Sequence, residues 1–420
     1  MNKKILSIAL CFAVSTGIFV LSSCANSTAP QTIDTQDTRV EETDSPEDIN
    51  MLPAGEVRII SMNLDGNTPT IEKRAEIMIP RLLEYEPDSI GTQEVIYSWG
   101  SVLKNALGEK YGRIGNTDEG PVEKAAASAV YIYYNKEKFD VVASGTVWLT
   151  ETPTKPAGRT CTWGVFEDKL TGLRYAHVNT HLEWIDDEEN KFQMAIIRDL
   201  CKQLESLGYP VFATGDFNAS EGSDSYQIMT STEFIYDSKF VAEKSMDMGT
   251  MHGGSPNPVG RKPIDFCFVT GDKMTVHEYE VINSVIDDNT FMSDHNGLFV
   301  RATINSLPDQ LQFSPVISTD GIKMTVKDIR PYVAEITITQ ADDTFMIDAY
   351  RVSAIDPDGN EIVVREIPSR YLHVEVPSEL PCTLTGLSPA TEYKVNISPM
   401  ALTGEYAEPI SFTIVTPNIE

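Results

Sequence analysis

Residues Val211-Phe212-Ala213-Thr214-Gly215-Asp216-Phe217-Asn218 set the reading of the whole chain. Val211–Thr214 is a short apolar run that predicts a buried strand. Gly215-Asp216 ends it, and a carboxylate and a carboxamide follow two residues apart. At strand spacing both would face one way, so one could accept a proton from water while the other donates to an oxyanion. Taken alone, the stretch reads equally well as an ordinary turn.

The same texture recurs outward from it. Upstream, acidic Asp186–Glu189 opens an amphipathic helix that runs to Leu207 and stops at Gly208, with acids at the end a helix dipole favours. Val57–Met62 predicts a strand ending at Asn63, and Asp88–Gln93 one ending at Glu94. Ile71 to Tyr85 has helical spacing and is stopped by Pro87. Ala129–Tyr134 and Phe139–Thr146 read as strands, as do Thr162–Phe166 and Leu173–Thr180 around the turn Thr171-Gly172. Ile264–Val269 and Leu298–Ile304 complete the set. Strands often follow strands, which predicts sheets packed face to face with outer helices rather than strict β-α-β alternation.

Polar islands sit at these strand ends: Ser61-Met62-Asn63, Gln93-Glu94, Asn179-Thr180-His181-Leu182, Gly215-Asp216-Phe217-Asn218, Ile264-Asp265-Phe266 and Ser293-Asp294-His295. Each alone is a weak signal. In this order and at these separations they resemble the endonuclease/exonuclease/phosphatase superfamily, over about residues 56–304. Gly145-Thr146-Val147-Trp148-Leu149-Thr150-Glu151-Thr152-Pro153 and Tyr134-Asn135-Lys136-Glu137-Lys138-Phe139 further resemble a bacterial extracellular subgroup. The resemblance implies a four-layer α+β sandwich, two packed and mainly antiparallel sheets flanked by helices, over residues 55–307.

It also implies a chemistry that the residues suit. Phosphoester hydrolysis needs a hard cation on the phosphate oxygens, an activated water and a group that neutralises developing charge. Mg²⁺, with Mn²⁺ as a substitute, takes oxygen ligands. Glu94, Asn63 and Asp294 are the expected metal residues. Asp216 is the expected base or orienter of the water and Asn218 the transition-state stabiliser. The resemblance pairs Asp265 with His295, which would then protonate or stabilise the phosphoryl group. His181 is the expected second histidine. Relatives often orient it with a Glu on an earlier strand, where Ser128 stands here. Trp184 could stack on a substrate group or simply pack. Arg261 and Lys262, in a Gly/Pro-rich loop, could hold a phosphate or be a solvated pair.

The ends of the chain carry other signals. Lys3 and Lys4, then the uncharged apolar run Ile5 to Val20, then Leu21-Ser22-Ser23-Cys24, read as a secretory signal over residues 1–23. Leu-Ser-Ser-Cys resembles a bacterial lipobox, which implies lipidation at Cys24 and a membrane-anchored, extracytoplasmic protein. Residues 24–54 are rich in Ser, Thr, Asp, Glu and Pro and predict an acidic, solvated spacer. Residues 308–420 predict about eight short strands, the content of an all-β immunoglobulin-like sandwich. Within them Leu384-Thr385-Gly386-Leu387-Ser388-Pro389-Ala390-Thr391-Glu392-Tyr393-Lys394-Val395 resembles the fibronectin type III signature. Spacing, or binding a glycan or surface polymer, is the expected work of this region.

Composition limits the substrate. The 420 residues hold 33 Lys+Arg against 62 Asp+Glu, a net charge of −29, which argues against a dedicated DNA or RNA scaffold. Residues 55–305 alone hold 23 bases and 38 acids, net −15. A long polyanion is repelled over most of such a surface. This favours compact phosphoesters, nucleotides, short oligonucleotides or lipid head groups, acted on by a monomer. Two other readings stay open: an extracellular nuclease, and a catalytically idle surface binding protein. Six cysteines, none in metal-finger spacing, exclude a small disulfide-stapled scaffold.

Overall fold

The structure, a computed structural model, describes residues 55–66, 68, 70–115, 129–149, 159–254, 262–287, 290–305, 317–341, 347–369 and 377–419. The signal segment, the spacer, Cys24, Ser128, Arg261 and the expected strand at 372–376 lie outside them.

Two sheets build the first part. The seven-stranded sheet runs in the order Lys244–Ser245, Met274–Ile282, Gly297–Ile304, Glu56–Asn63, Ser89–Gln93, Tyr131–Asn135, Tyr111–Ile114. The six-stranded sheet runs Phe139–Trp148, Thr160–Asp168, Arg174–His181, Val211–Asp216, Asp265–Thr270, Ile235–Asp237. Most pairings are antiparallel; Glu56–Asn63 with Ser89–Gln93, Lys244–Ser245 with Met274–Ile282, and Arg174–His181 with Val211–Asp216 are parallel.

Period-two alternation makes four layers of this. In the strand Arg174–His181, Ala176 and Val178 face outward onto Met194, Ile197, Leu200 and Leu204 of the helix Asp187–Ser206. Asp186 caps that helix, its side chain accepting the Glu188 and Glu189 N–H groups. On the far side, helices Ile71–Leu83 and Tyr97–Leu107 bury Met78, Leu82, Trp99 and Leu103 against Ile60, Met62 and Ile90. Val57, Ile59, Ile132, Phe166, Tyr175, Phe212 and Val300 fill the space between the sheets. Each such side chain contributes about 1.5–3 kcal/mol of burial.

The middle layer is not wholly apolar. Gln93 Nε2 donates to Ser61 Oγ (3.2 Å) and Asn179 Oδ1 (2.8 Å). Asn179 Nδ2 donates to the Thr92 and Tyr131 carbonyls, so it ties the two sheets together. His177 joins Ser89 Oγ at 2.8 Å and Thr214 Oγ1 at 2.7 Å. Gly91 lets the sheets close here: a Cβ would meet Asn179 Oδ1 at 2.5 Å and Thr214 Oγ1 at 2.6 Å. Gln93 and Asn179 therefore act as stitching rather than as chemistry.

The second part is all strand. Lys323–Arg330, Val333–Thr339 and Glu379–Thr385 form one sheet; Glu361–Pro368, Ile347–Ile355, Glu392–Ala401 and Ile410–Val415 form another. They share a core that includes Ile336, Ile338, Tyr350, Val352, Leu384 and Val395. The Tyr393 hydroxyl accepts the Ser388 N–H at 2.8 Å, closing a corner. Leu402, from the turn after Glu392–Ala401, is buried in the first part's outer core. Beside it Gln203 Nε2 donates to Thr403 Oγ1 at 3.1 Å. The four described cysteines, Cys161, Cys201, Cys267 and Cys382, are free and buried.

Candidate active site

Register brings the expected residues to one rim. Asp216 pairs with His181 across the parallel ladder and with Asp265 across the antiparallel one, so three site residues stand abreast on neighbouring strands. In the other sheet Asn63 pairs with Gln93, and Glu94 follows directly. Asp265 opens its strand rather than ending it, and Asp294 and His295 precede Gly297–Ile304. Those two strands run antiparallel to their neighbours, so their beginnings share a rim with the other strands' ends.

Asp216 is the hub. Its Oδ2 accepts Asn63 Nδ2 at 3.0 Å and lies 3.5 Å from His181 Nε2 and 3.7 Å from His295 Nε2. Its Oδ1 accepts the Asn218 N–H at 3.0 Å. Gly215 permits the approach, with φ +153 and Thr180 O at 2.2 Å from where a Cβ would stand. The strand ends at Asp216, so the expected strand alternation does not extend to Asn218. Asn218 instead sits in a left-handed turn (φ 49), its Nδ2 donating to the Leu182 carbonyl at 3.0 Å.

Asn63 links both halves. Its Nδ2 also donates to Glu94 Oε1 at 3.2 Å, while its Oδ1, the expected metal donor, accepts the Asp65 N–H at 3.1 Å. Glu94 has φ 56, a backbone strain that few Glu residues carry. The Gly66 N–H holds its Oε2 at 2.8 Å. Ser293 Oγ donates to the Asn63 carbonyl at 2.7 Å and accepts the His295 N–H at 3.1 Å, which fixes the loop bearing Asp294.

The histidines differ sharply. Burial opposes charge on His295, but Asp265 (2.9 Å from Nδ1) and Asp216 outweigh it and raise the ring to about 10. Burial pulls His181 down to about 4, with Arg159 and His295 reinforcing that against Asp216. Its Nδ1 has no hydrogen-bond partner among the described residues.

The donor set fits a divalent cation. Burial raises the Asp294 carboxyl, and Asp65 and Glu94 add to that against His295. Carboxylates that face one another in this way favour a cation between them, and oxygen donors suit a hard one. Asp216, Asp265 and His295 also bring ligand atoms within 4.8 Å of one another. His295 would bring a nitrogen donor to that cluster with its Nδ1 already committed to Asp265, whereas a hard cation prefers oxygen donors. Glu94 and Asp294 are the better pair.

Of the expected substrate residues, Trp184 is 68% exposed beside the rim, its N–H donating to Glu183 Oε1. Lys262 is exposed and Arg261 lies outside the described residues. Sequence reasoning passed over Arg159. It is 7% exposed, with its Nε 3.8 Å from Glu183 Oε2. Only its place just before the strand that precedes Asn179–His181 could have flagged it.

A four-layer sandwich with such a rim is the DNase I-like fold, whose members are phosphoesterases and nucleases. The chain belongs to the Endonuclease/Exonuclease/phosphatase family, whose model matches residues 60–295. That family is typically dependent on divalent metals. Among solved structures, the chain is similar to a family member from Bacteroides thetaiotaomicron, with 25% identity, TM-score 0.52, and coverage of 60% of this chain and 98% of that one. It is similar to a member from Bacteroides vulgatus, with 26% identity, TM-score 0.52, and coverage of 60% and 99%. It is also similar to a mannosyl-6-phosphatase from Bacteroides thetaiotaomicron VPI-5482, with 26% identity, TM-score 0.52, and coverage of 59% and 100%. No curated protein sequence matches the chain.

Proposed function

We infer that this protein hydrolyses a compact phosphoester with Mg²⁺, by in-line attack of water. The observation that carries the reading is the convergence on Asp216 of Asn63, His181 and His295, with Glu94 and Asp265 one hydrogen bond further out. Glu94 and Asp294 would hold the ion, with Asn63 beside them, and the ion would supply Lewis-acid polarisation of a phosphoryl oxygen. Asp216 orients the attacking water and takes its proton. His295, charged and fixed by Asp265, neutralises the phosphoryl oxygens and gives its proton to the leaving oxygen. Asn218 is held at the same edge to donate to the phosphoryl group.

The net −15 of residues 55–305 supports a small substrate over a long nucleic acid. The neighbour named as a mannosyl-6-phosphatase supports a sugar phosphate. Lipidation at Cys24 would place the enzyme at the cell surface on its acidic spacer. The three-plus-four strand arrangement and the Tyr393 corner support a fibronectin type III-like domain after residue 307, suited to a glycan or surface polymer.

The test is release of p-nitrophenol from the mono- and bis-esters of phosphate with Mg²⁺ or Mn²⁺. A panel of sugar phosphates, inositol phosphates, sphingomyelin, DNA and RNA follows. No turnover of any of them by protein shown to bind the ion overturns the reading. Turnover of nucleic acid alone moves it to a nuclease.

A further inference from the structure

Resting on the phosphoesterase reading above, we propose that Trp184 and Ile185 form a sugar subsite beside the hub, which stacks the ring of a sugar phosphate while its phosphoryl group lies at Asp216.

The two side chains are held out in water by a loop pinned along its length. Trp184 is 68% exposed and Ile185 75%. They follow closely on His181, whose Nε2 lies 3.5 Å from Asp216 Oδ2. Leu182 ties the loop to the hub twice: its N–H donates to the Asp216 carbonyl and its carbonyl accepts Asn218 Nδ2, both at 3.0 Å. The Glu183 N–H donates to Gln193 Oε1 at 2.8 Å, and its carbonyl accepts Asn190 Nδ2 at 2.6 Å. Glu183 Oε1 accepts the Trp184 and Ile185 N–H groups at 2.8 and 2.9 Å.

Packing does not account for this indole. Trp99 and Trp163 are 0% and 2% exposed, so the fold buries a tryptophan where its core needs one. Apolar surface rimmed by polar groups and fixed beside a cleft marks a contact site. A ledge that is already ordered loses little freedom when a ligand settles on it.

Charge then selects the occupant. Residues 182–191 hold five acids and one base, Lys191. Lys191 is paired with Glu188 at 2.8 Å, and Asp186, Asp187 and Glu188 are exposed. Such a flank repels a second phosphate or a nucleic-acid strand. A sugar ring is neutral. Its C–H face suits the negative face of the indole, and its hydroxyls can donate to carboxylates on the same turn. Ile185 extends the apolar ledge by one side chain.

The experiment compares full-length wild type, Trp184→Ala and Trp184→Phe on mannose 6-phosphate, glucose 6-phosphate and ethyl phosphate with Mg²⁺, by release of inorganic phosphate. Binding of both hexose phosphates is measured by calorimetry in an Asp216→Asn background, with and without Trp184→Ala. Wild type should prefer at least one hexose phosphate to ethyl phosphate by about 10-fold or more in kcat/KM. Trp184→Ala should cut that preference at least about 10-fold, chiefly through KM, and weaken hexose phosphate binding by a similar factor. Trp184→Phe should recover part of both. No preference in wild type, an unchanged preference in Trp184→Ala, or unchanged binding overturns the proposal. A wild-type preference for phosphocholine over both hexose phosphates also overturns it, in favour of an organic cation on the indole. If Trp184→Ala does not fold, Trp184→Gln decides it by the same ratio. If wild type cleaves none of these esters, the phosphoesterase reading fails, and hexose phosphate binding alone decides the role of Trp184.

Discussion

His181 and His295 approach the same oxygen of Asp216, at 3.5 and 3.7 Å, yet one is pulled to about 4 and the other raised to about 10. The difference lies at the far ring nitrogen. Asp265 holds that of His295 at 2.9 Å, and no described group holds that of His181. Two similar rings with separated pKa values divide into an acid and a neutral partner. Asp265→Asn removes the charge that keeps His295 protonated. Turnover should fall about 10²–10⁴-fold with the thermal midpoint little changed. Near-wild-type kcat would show that the pair does not act as an acid.

Asp216→Asn keeps the shape of the hub and removes its charge. Turnover should drop below about one thousandth of wild type, since Asp216 is the carboxylate on which Asn63, His181 and His295 converge. Far-UV circular dichroism should be unchanged. A residual rate above about a tenth of wild type would remove Asp216 from the role of base.

Glu94→Gln tests the ion. The Gly66 N–H would still find an acceptor, but the carboxylate charge is gone. Mg²⁺ affinity by calorimetry should weaken at least about 10-fold. The Mg²⁺-dependent rise in thermal midpoint should shrink with it, because a ligand stabilises only in proportion to its binding. Equal affinity in the variant would place the ion elsewhere.

His177 gives the fold a pH dependence of its own. It is fully buried between the sheets, and burial lowers it from 6.5 to about 3. The neutral ring is the folded form, so its contribution is complete above pH 6.5 and declines as pH falls toward 3. Each unit below 6.5 removes about 1.4 kcal/mol from this source. Urea midpoints between pH 7.5 and 5 should trace that slope, and His177→Gln should flatten it. A parallel slope in the variant would assign the effect to other groups.

Gly91→Ala addresses the seam beside it. A Cβ there would meet the Asn179 and Thr214 oxygens within 2.6 Å, and both belong to the polar network. Destabilisation of about 2–4 kcal/mol is expected in equilibrium urea unfolding. A loss under about 0.5 kcal/mol would mean that the sheets can part to admit a methyl group.

Much of this was legible in the chain because strand-end polar residues stand out against apolar runs. Asn63, Glu94, Asp216, Asp265 and His295 were all visible in that way, and the structure brings them to one rim. The strand Met274–Ile282 was not. Its register shifts between Val276 and Glu278, so the buried positions move from Met274 and Val276 to Tyr279 and Val281 and period two is lost. The helix Tyr97–Leu107 was hidden by its two serines and Gly100, although Trp99, Leu103 and Leu107 mark its buried face. Arg159 escaped because nothing local marks a lone basic residue; its place depends on a strand ladder and a distant Asp216. His177 lies within the run Leu173–Thr180 with no local signal of its own, and only the packed sheets reveal its partners, Ser89 and Thr214.

Leu402 changes what counts as the enzyme. With this side chain filling an apolar notch behind the helix Asp187–Ser206, a chain cut after residue 307 would leave that notch bare and the Gln203 amide without its acceptor. The opposite end of that helix grips the backbone of Glu183 and Phe217 through Asn190, so the same helix that meets Leu402 also holds the loops around the hub. Shortened versions made for convenience would invite clumping and lost catalysis together, and the tail should be carried through any redesign as part of the machine.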